Sequence, residues 1–355
     1  SYGFYCFAPM LGKAFLLKRG ICMKRKVIID CDPGIDDALA LMLALNHEDI
    51  EVLGITIVCG NAPAEMGFAN AHKVLAHLGR QDVKVYLGAK QPLALPFCDA
   101  LDTHGSDGLG ESFLPQTDAA ILDLDAVTFL SQTLHETNCS IIALGPLTNL
   151  AHLIERDAQA FARIDRLVSM GGAFRTHGNC SPVAEYNYWE DPQAAQCVYA
   201  QMEQLGKQVE MVGLDVTRRI VLTMDLLAYI ERLDPKEGAF IRAITKFYFD
   251  FHWRQEHLIG CVINDPLAVA YFIDPSLCEG FSSYVAIAGD GLARGQSIVD
   301  AASFYQRPHN AQVLTKVDVL AFFRMFFAAL LHQEASAFDL LPVLIASSAK
   351  KEGCA

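Results

Sequence analysis

Strand-like and helix-like runs alternate over the first two thirds of this 355-residue chain, and that alternation limits its fold more than any other feature. Apolar stretches at Val27–Ile29, Glu51–Val58, Val83–Leu87, Ser140–Leu144, Arg166–Met170 and Gln208–Leu214 read as strands. Helical patterns lie between them, near Asp36–Asn46, Ala64–Leu78, Asp123–Glu136, Leu147–Glu155 and Pro192–Gln204. Strands joined through helices must cross over rather than turn back, so the pattern predicts an open, mainly parallel α/β sheet with helices on both faces. Further on, 223–274 reads as mostly helical, 281–318 as strands joined by turns, and 318–333 as a helix. No internal repeat and no long Pro/Gly/Ser linker interrupts the chain, which implies one domain over 23–335 and a weakly patterned, loosely packed tail over 336–355. Residues 1–22 are aromatic and mildly basic. They lack a basic segment before their apolar stretch and a small-residue cleavage site, and so read as an extension ahead of a start at Met23.

Bulk properties exclude some partners. A net charge of −13 and a pI near 5.2 argue against nucleic acid or an anionic membrane surface. No apolar run reaches the length of a transmembrane helix. The eleven cysteines are spread from Cys6 to Cys354 without a C-x-x-C pair. Such a set reads as free thiols in a reducing compartment, hence a cytoplasmic protein, and not as a disulfide framework or zinc site.

The chemistry concentrates where the first strand meets the first helix. Asp30, Asp32, Asp36 and Asp37 fall within eight residues, around a Pro33-Gly34 turn. In open α/β sheets, ligands bind at the carboxyl ends of the strands, where this loop belongs. Two carboxylates about 5 Å apart repel by roughly 3 kcal/mol at an effective dielectric near 20. Several on one turn call for a cation, a shared proton or hydroxyl donors. Neither register of the loop places Gly sixth and Glu twelfth, which excludes an EF-hand, and no His or Cys stands at zinc-ligand spacing. Hard oxygen ligands suit calcium or magnesium, with calcium favoured. Other loops belong at the same edge: Cys59-Gly60-Asn61, the segment from Thr103 to Gly108, Gly145 to Asn149, and Gly171 to Asn187. Asn179, Glu185 and Asn187 offer amides and a carboxylate that together can donate to and accept from sugar hydroxyls. Asp265 opens a helix with Pro266 at its first position and can add a carboxylate.

The run V-I-I-D-C-D-P-G-I-D-D from Val27 to Asp37 closely resembles the N-terminal fingerprint of the inosine/uridine-type nucleoside hydrolases. V-C-G-N at 58–61, L-G-P-L-T-N at 144–149, M-G-G at 170–172, S-P-V-A-E-Y-N at 181–187 and N-D-P-L-A at 264–268 match later family blocks in order. The resemblance spans Lys24 to about Leu330. It implies a homodimeric or homotetrameric enzyme that splits the N-glycosidic bond of ribonucleosides with water and holds one Ca2+ per subunit. By position, Asp32, Asp37, the Leu144 carbonyl and Asp265 are the implied calcium ligands, and Asp32 is the implied general base. Asp36, Asn61, Asn179, Glu185 and Asn187 are implied to hold the ribose.

The chain departs from that pattern at Asn264. Many members carry His there, a candidate acid for the departing base, and an amide cannot donate a proton as imidazolium does. The substrate-side role of Asn264 is therefore binding, and His104 or His257 become the expected acids, with Tyr248 and the His252–Trp253 neighbourhood behind them. Pyrimidine or mixed specificity is expected. Two other classes compete: a ribose or nucleoside sensor that has lost the acid, and a haloacid-dehalogenase-type phosphatase built on the Asp30-Cys31-Asp32 pattern.

Overall fold

The computed structural model describes residues 24–349. The expected extension, 1–22, lies outside them. Eight strands form the main sheet: β1 (Arg25–Cys31), β2 (Ile50–Ile57), β3 (Val85–Leu87), β4 (Ser140–Ala143), β5 (Leu167–Met170), β6 (Val209–Val212), β7 (Cys278–Ser283) and β8 (Ala311–Val317). Their spatial order is β3-β2-β1-β4-β5-β6-β8-β7, and every neighbouring pair is parallel except β8–β7. The six strands read from the sequence all occur, each within a few residues of its expected bounds.

The helices that frame this sheet include α1 (Ile35–Asn46), α2 (Ala64–Leu78), α3 (Ala126–Glu136), α4 (Thr148–Ala162), α5 (Pro192–Gln204), α6 (Met224–Leu233), α7 (Pro235–Glu256), α8 (Asp265–Ile273) and α9 (Val319–Leu331). Strand pleating sends alternate side chains to opposite faces. Val27, Ile29 and Cys31 join the core beneath α1, α2, α8 and α9, while Ile28 joins the core beneath α3, α4 and α5. Among the described residues, no helix is long and apolar enough to cross a membrane.

Two helices lack a solvent face. Every residue of α1 from Ile35 to Leu45 is buried, as is all of α8. Their sequences are apolar all round, which suits helices enclosed by the fold. The C-terminal end of α8 is held by two guanidinium groups: Arg25 donates to the Phe272 and Ile273 carbonyls at 2.9 and 2.7 Å, and Arg166 donates to Phe272 at 3.1 Å. Cations favour the negative end of a helix dipole.

Two expectations need correction. The helix expected to end at Glu155 runs on to Ala162 through a break at Asp157 (φ −154°, ψ 73°). Asp157 accepts from the Ser131 hydroxyl at 2.6 Å and the Ala160 N–H at 3.0 Å, so it starts a second helical segment instead of ending the first. The segment after Ser336 is not loosely packed throughout. It buries Phe338 against Phe327 at 5.6 Å, buries Leu341, and continues into the helix Leu341–Ala349.

Candidate active site

The strand order reverses direction between β1 and β4, and this switch point is where an open α/β sheet leaves a crevice. The aspartate loop leaves β1 on one side of it, and Leu144-Gly145 leaves β4 on the other. Asp30 serves the scaffold. Its Oδ1 accepts from the Thr56 hydroxyl at 2.6 Å and the Asn149 amide at 2.7 Å. Asn149, whose role the sequence does not reveal, also donates to the Ile57 carbonyl and accepts from the Ala89 N–H, so it ties β1, β2 and the chain after β3 together.

Asp32 sits in a slot. Its Oδ2 accepts the Asn61 N–H at 2.7 Å, while its buried Oδ1 has no partner. A Cβ on Gly145 would lie 2.6 Å from Oδ1, and one on Gly60 would lie 2.7 Å from the carboxyl carbon. Both glycines are thus required by close approach, a role that the spacing alone did not reveal. Asp37 accepts from the N–H groups of Asp32 (3.3 Å) and Gly34 (3.0 Å) and from the Asn61 amide (2.9 Å). Asp36 accepts from both the backbone N–H and the side-chain amide of Asn264, each at 3.2 Å.

Oxygens of Asp36, Asp37 and Asp265 lie within 4.8 Å of one another, and all three residues are buried. The sequence expectation put Asp32 with Asp37, Leu144 and Asp265. The structure draws Asp36 into the converging trio and leaves Asp32 beside it, linked through the Asp32 N–H to Asp37. Burial and then neighbouring acids push these groups up: Asp37 to about 7, and Asp32 and Asp265 well above the usual carboxylate range. Burial alone raises Asp30 to about 6. A constellation of buried acids with all-oxygen donors and an orphaned Asp32 oxygen fits a hard divalent cation. The Leu144 carbonyl sits at the adjoining strand end and already accepts the Asn187 amide at 2.7 Å.

The residues expected to hold the sugar gather after β5. Glu185 caps the short helix Tyr186–Glu190 and accepts from the N–H groups of Gly172 (3.0 Å), Asn187 (2.7 Å) and Tyr188 (3.2 Å). Both of its oxygens thus serve backbone, and burial pushes it up to about 7. Asn187 turns its NH2 inward, to the Leu144 and Met170 carbonyls, and keeps its amide oxygen to offer. Asn179 is exposed, with its amide oxygen on the Tyr186 N–H at 3.0 Å.

The family model described as inosine-uridine preferring nucleoside hydrolase matches residues 27–324, which include every residue of this candidate site. The chain belongs to this nucleoside hydrolase family. Uridine nucleosidase 1 of Arabidopsis thaliana is 33% identical over 278 residues, covering 78% of this chain and 82% of that one. Pyrimidine-specific ribonucleoside hydrolase RihA of Shewanella sp. (strain ANA-3) is 32% identical, covering 83% and 93%. Among solved structures, the purine-preferring ribonucleoside hydrolase from Gardnerella vaginalis superposes with a TM-score of 0.81 at 32% identity, covering 87% of this chain and 98% of that one. The plant nucleoside hydrolase PpNRh1 gives 0.80 at 31% identity, covering 86% and 98%. Membership makes the chain an enzyme, and the sensor and phosphatase readings fall.

The histidines expected to protonate the leaving base stand apart in this nucleoside hydrolase. His257 is exposed, in a left-handed conformation (φ 52°) at the end of α7, with its ring edge-on to Trp253. Trp253 is itself 52% exposed and is not a core residue. His104 is buried beside the aspartate loop, but its Nδ1 accepts the Ile35 N–H at 3.1 Å. The ring proton therefore sits on Nε2 and the ring is neutral, and burial lowers its pKa further. A proton-donating His104 would first have to give up its bond to the mouth of α1. His252 is also engaged at both nitrogens, with the Tyr248 carbonyl at 2.9 Å and the Val262 N–H at 3.4 Å. The Tyr248 ring lies 5.4 Å from that of His104, and burial first, then the nearby acids, push its phenol up.

The slot around Asp32 gives a direct test. Gly145→Ala puts a methyl group into the carboxylate and is expected to lower kcat by about 100-fold in a folded chain, a typical cost of misplacing a catalytic group by an ångström. Circular dichroism and steady-state kinetics on uridine check it, and an unchanged kcat would mean that the slot does not hold Asp32 for the reaction.

Proposed function

We propose that this nucleoside hydrolase cleaves the N-glycosidic bond of ribonucleosides, pyrimidine ribonucleosides among them, in a calcium-dependent reaction with Asp32 as general base. The observation that carries the reading is the orphaned, buried Asp32 Oδ1 beside three converging carboxylates at the switch point. Asp36, Asp37 and Asp265, with the Leu144 carbonyl and Asp32 next to them, are the residues to hold calcium. When bound, calcium lowers the pKa of a water molecule and orients it.

The rest falls to the chain's own groups. Asp32 takes the water proton on Oδ1 while the Asn61 N–H keeps its other oxygen in place. The water oxygen bonds to C1′ as the C1′–N bond breaks, through an oxocarbenium-like state. Buried carboxylates around the ribose favour the positive charge that develops there. Asn179 and Asn187 orient the sugar hydroxyls, and Glu185 shapes the backbone that carries Asn187. Asn264 holds Asp36. The base departs with little acid assistance, which suits leaving groups that tolerate negative charge. The similarity to a uridine nucleosidase and to RihA supports pyrimidine ribonucleosides as substrates.

Reducing-sugar release from uridine, cytidine, inosine and adenosine, with and without chelator, tests the reading. Release from none of them in the calcium-loaded protein would overturn it. For His104 the proposed role is to seat the mouth of α1. His104→Ala should then slow uridine and p-nitrophenyl riboside to a similar degree. An acid would behave differently: its loss costs about 10²–10⁴ on the natural nucleoside and spares the activated one. Selective loss of that kind would reinstate His104 as the acid.

A further inference from the structure

The segment from 88 to 100, between β3 and the turn Leu101–His104, has no helix or strand of its own. Bonds from other parts of the chain hold it. Asn149 and Cys59 hold Ala89, Asp191 accepts the Leu93 N–H at 2.9 Å, and the Ala100 N–H donates to the Asn61 carbonyl at 3.0 Å. The peptide groups of Cys98 are gripped on both sides. The Cys98 N–H donates to Glu190 Oε1 at 2.9 Å, and the Cys98 carbonyl accepts the Tyr186 hydroxyl at 2.7 Å.

The same hydroxyl lies 2.8 Å from the Gly60 carbonyl. One phenolic proton is thus shared between two carbonyls from different loops, and the connections after β2, β3 and β5 meet at one oxygen. The next residue after Gly60 is Asn61, whose N–H holds Asp32 and whose amide holds Asp37. Asn61 is therefore fixed from the inside by the acids, and from the outside by Tyr186 through Gly60 and by Ala100. The Glu190 side chain is fully buried, and its second oxygen has no hydrogen bond, only the Arg294 guanidinium at 3.9 Å. Its carboxylate accepts the Cys98 N–H and otherwise faces the Arg294 guanidinium, so a buried carboxyl group grips that peptide.

We propose that Tyr186 and Glu190 form a clasp on the Cys98 peptide and are positioning residues for the reaction, setting the Gly60–Asn61 loop against Asp32 and Asp37. The inference rests on the reading of Asp32 as the base. It assigns no contact with substrate to either residue. Their effect on turnover passes through Asn61.

Tyr186→Phe removes one oxygen and leaves the ring. Glu190→Ala removes the other hand of the clasp, and Glu190→Gln keeps an acceptor for the Cys98 N–H in the same volume. Each of the first two should lower kcat on uridine by about 10- to 100-fold with KM changed by less than about threefold, because the base is misplaced while ribose contacts remain. Glu190→Gln should recover most of the loss. The double variant Tyr186→Phe/Glu190→Ala should be little worse than the poorer single one, since both hands hold one peptide and effects at a shared partner do not add. Multiplying effects, or a Tyr186→Phe enzyme with wild-type kcat, would overturn the inference while leaving the reading of Asp32 intact. So would losses tracked by equal rises in KM. If Tyr186→Phe does not fold, Glu190→Gln against Glu190→Ala decides alone: equal losses overturn the clasp. A calcium-loaded wild type inactive on every ribonucleoside overturns the functional reading first, and the clasp with it.

Discussion

Asp32→Ala lowers kcat by roughly 10³-fold or more and leaves the chain folded: that is the largest effect the structure leads us to expect from a single side chain. The size follows from how the carboxylate is held. One oxygen is fixed by the Asn61 N–H, the other is buried without a partner, and Gly60 and Gly145 leave no room for it to swing aside. No nearby group can take over, because Asp37 already accepts three hydrogen bonds and Asp36 accepts two from Asn264. Asp32→Asn is the sharper variant. It keeps the shape and a hydrogen-bond acceptor but cannot take a proton, so its kcat should fall nearly as far. Stability should not fall with it, since burial opposes the charge that the substitution removes. Steady-state kinetics with a thermal melt of the same samples checks both halves. A folded Asp32→Ala enzyme with near-normal turnover would remove Asp32 from the mechanism.

Removal of divalent cations is expected to have a comparable effect. Chelation should abolish turnover, and calcium should restore it. Calcium should also raise the melting temperature of the ion-free chain, because an ion that binds only the folded state stabilises it by about 2.7 kcal/mol at one hundred times its dissociation constant. The trio of Asp36, Asp37 and Asp265 supplies the reason: three buried carboxyls converge there. Asp265→Asn should weaken calcium binding measured by titration calorimetry, independent of any activity. Stoichiometric zinc in dialysed, unchelated protein, or calcium affinity unchanged in Asp265→Asn, would contradict the assignment.

Much of this was legible before any coordinates. The β1–loop–α1 unit is local, so eleven consecutive residues were enough to place four acids at a strand end. The crossover pattern was enough for a parallel sheet. What stayed hidden was set by parts far apart in the chain. Asp36 lies in the converging trio while its carboxylate accepts from Asn264, which lies 228 residues away. Glu185 reads as a sugar ligand; that its oxygens also accept the N–H groups of Gly172, Asn187 and Tyr188 appears only once the helix after it forms. The state of His104 depends on which backbone N–H meets its ring, and that is a fact about the mouth of α1. The break at Asp157 likewise needs Ser131 from another helix.

The buried helix α8 carries Asp265 at one end and is gripped by Arg25 and Arg166 at the other. A rod enclosed on every side and clamped at its far end has little freedom to shift when different molecules arrive. Under the proposed function, the floor of the crevice is thus a fixed gauge for the sugar, and tolerance toward larger or smaller bases has to be written into the rim. That division of labour gives a physical reason why one architecture serves neighbours named purine-preferring and relatives named pyrimidine-specific.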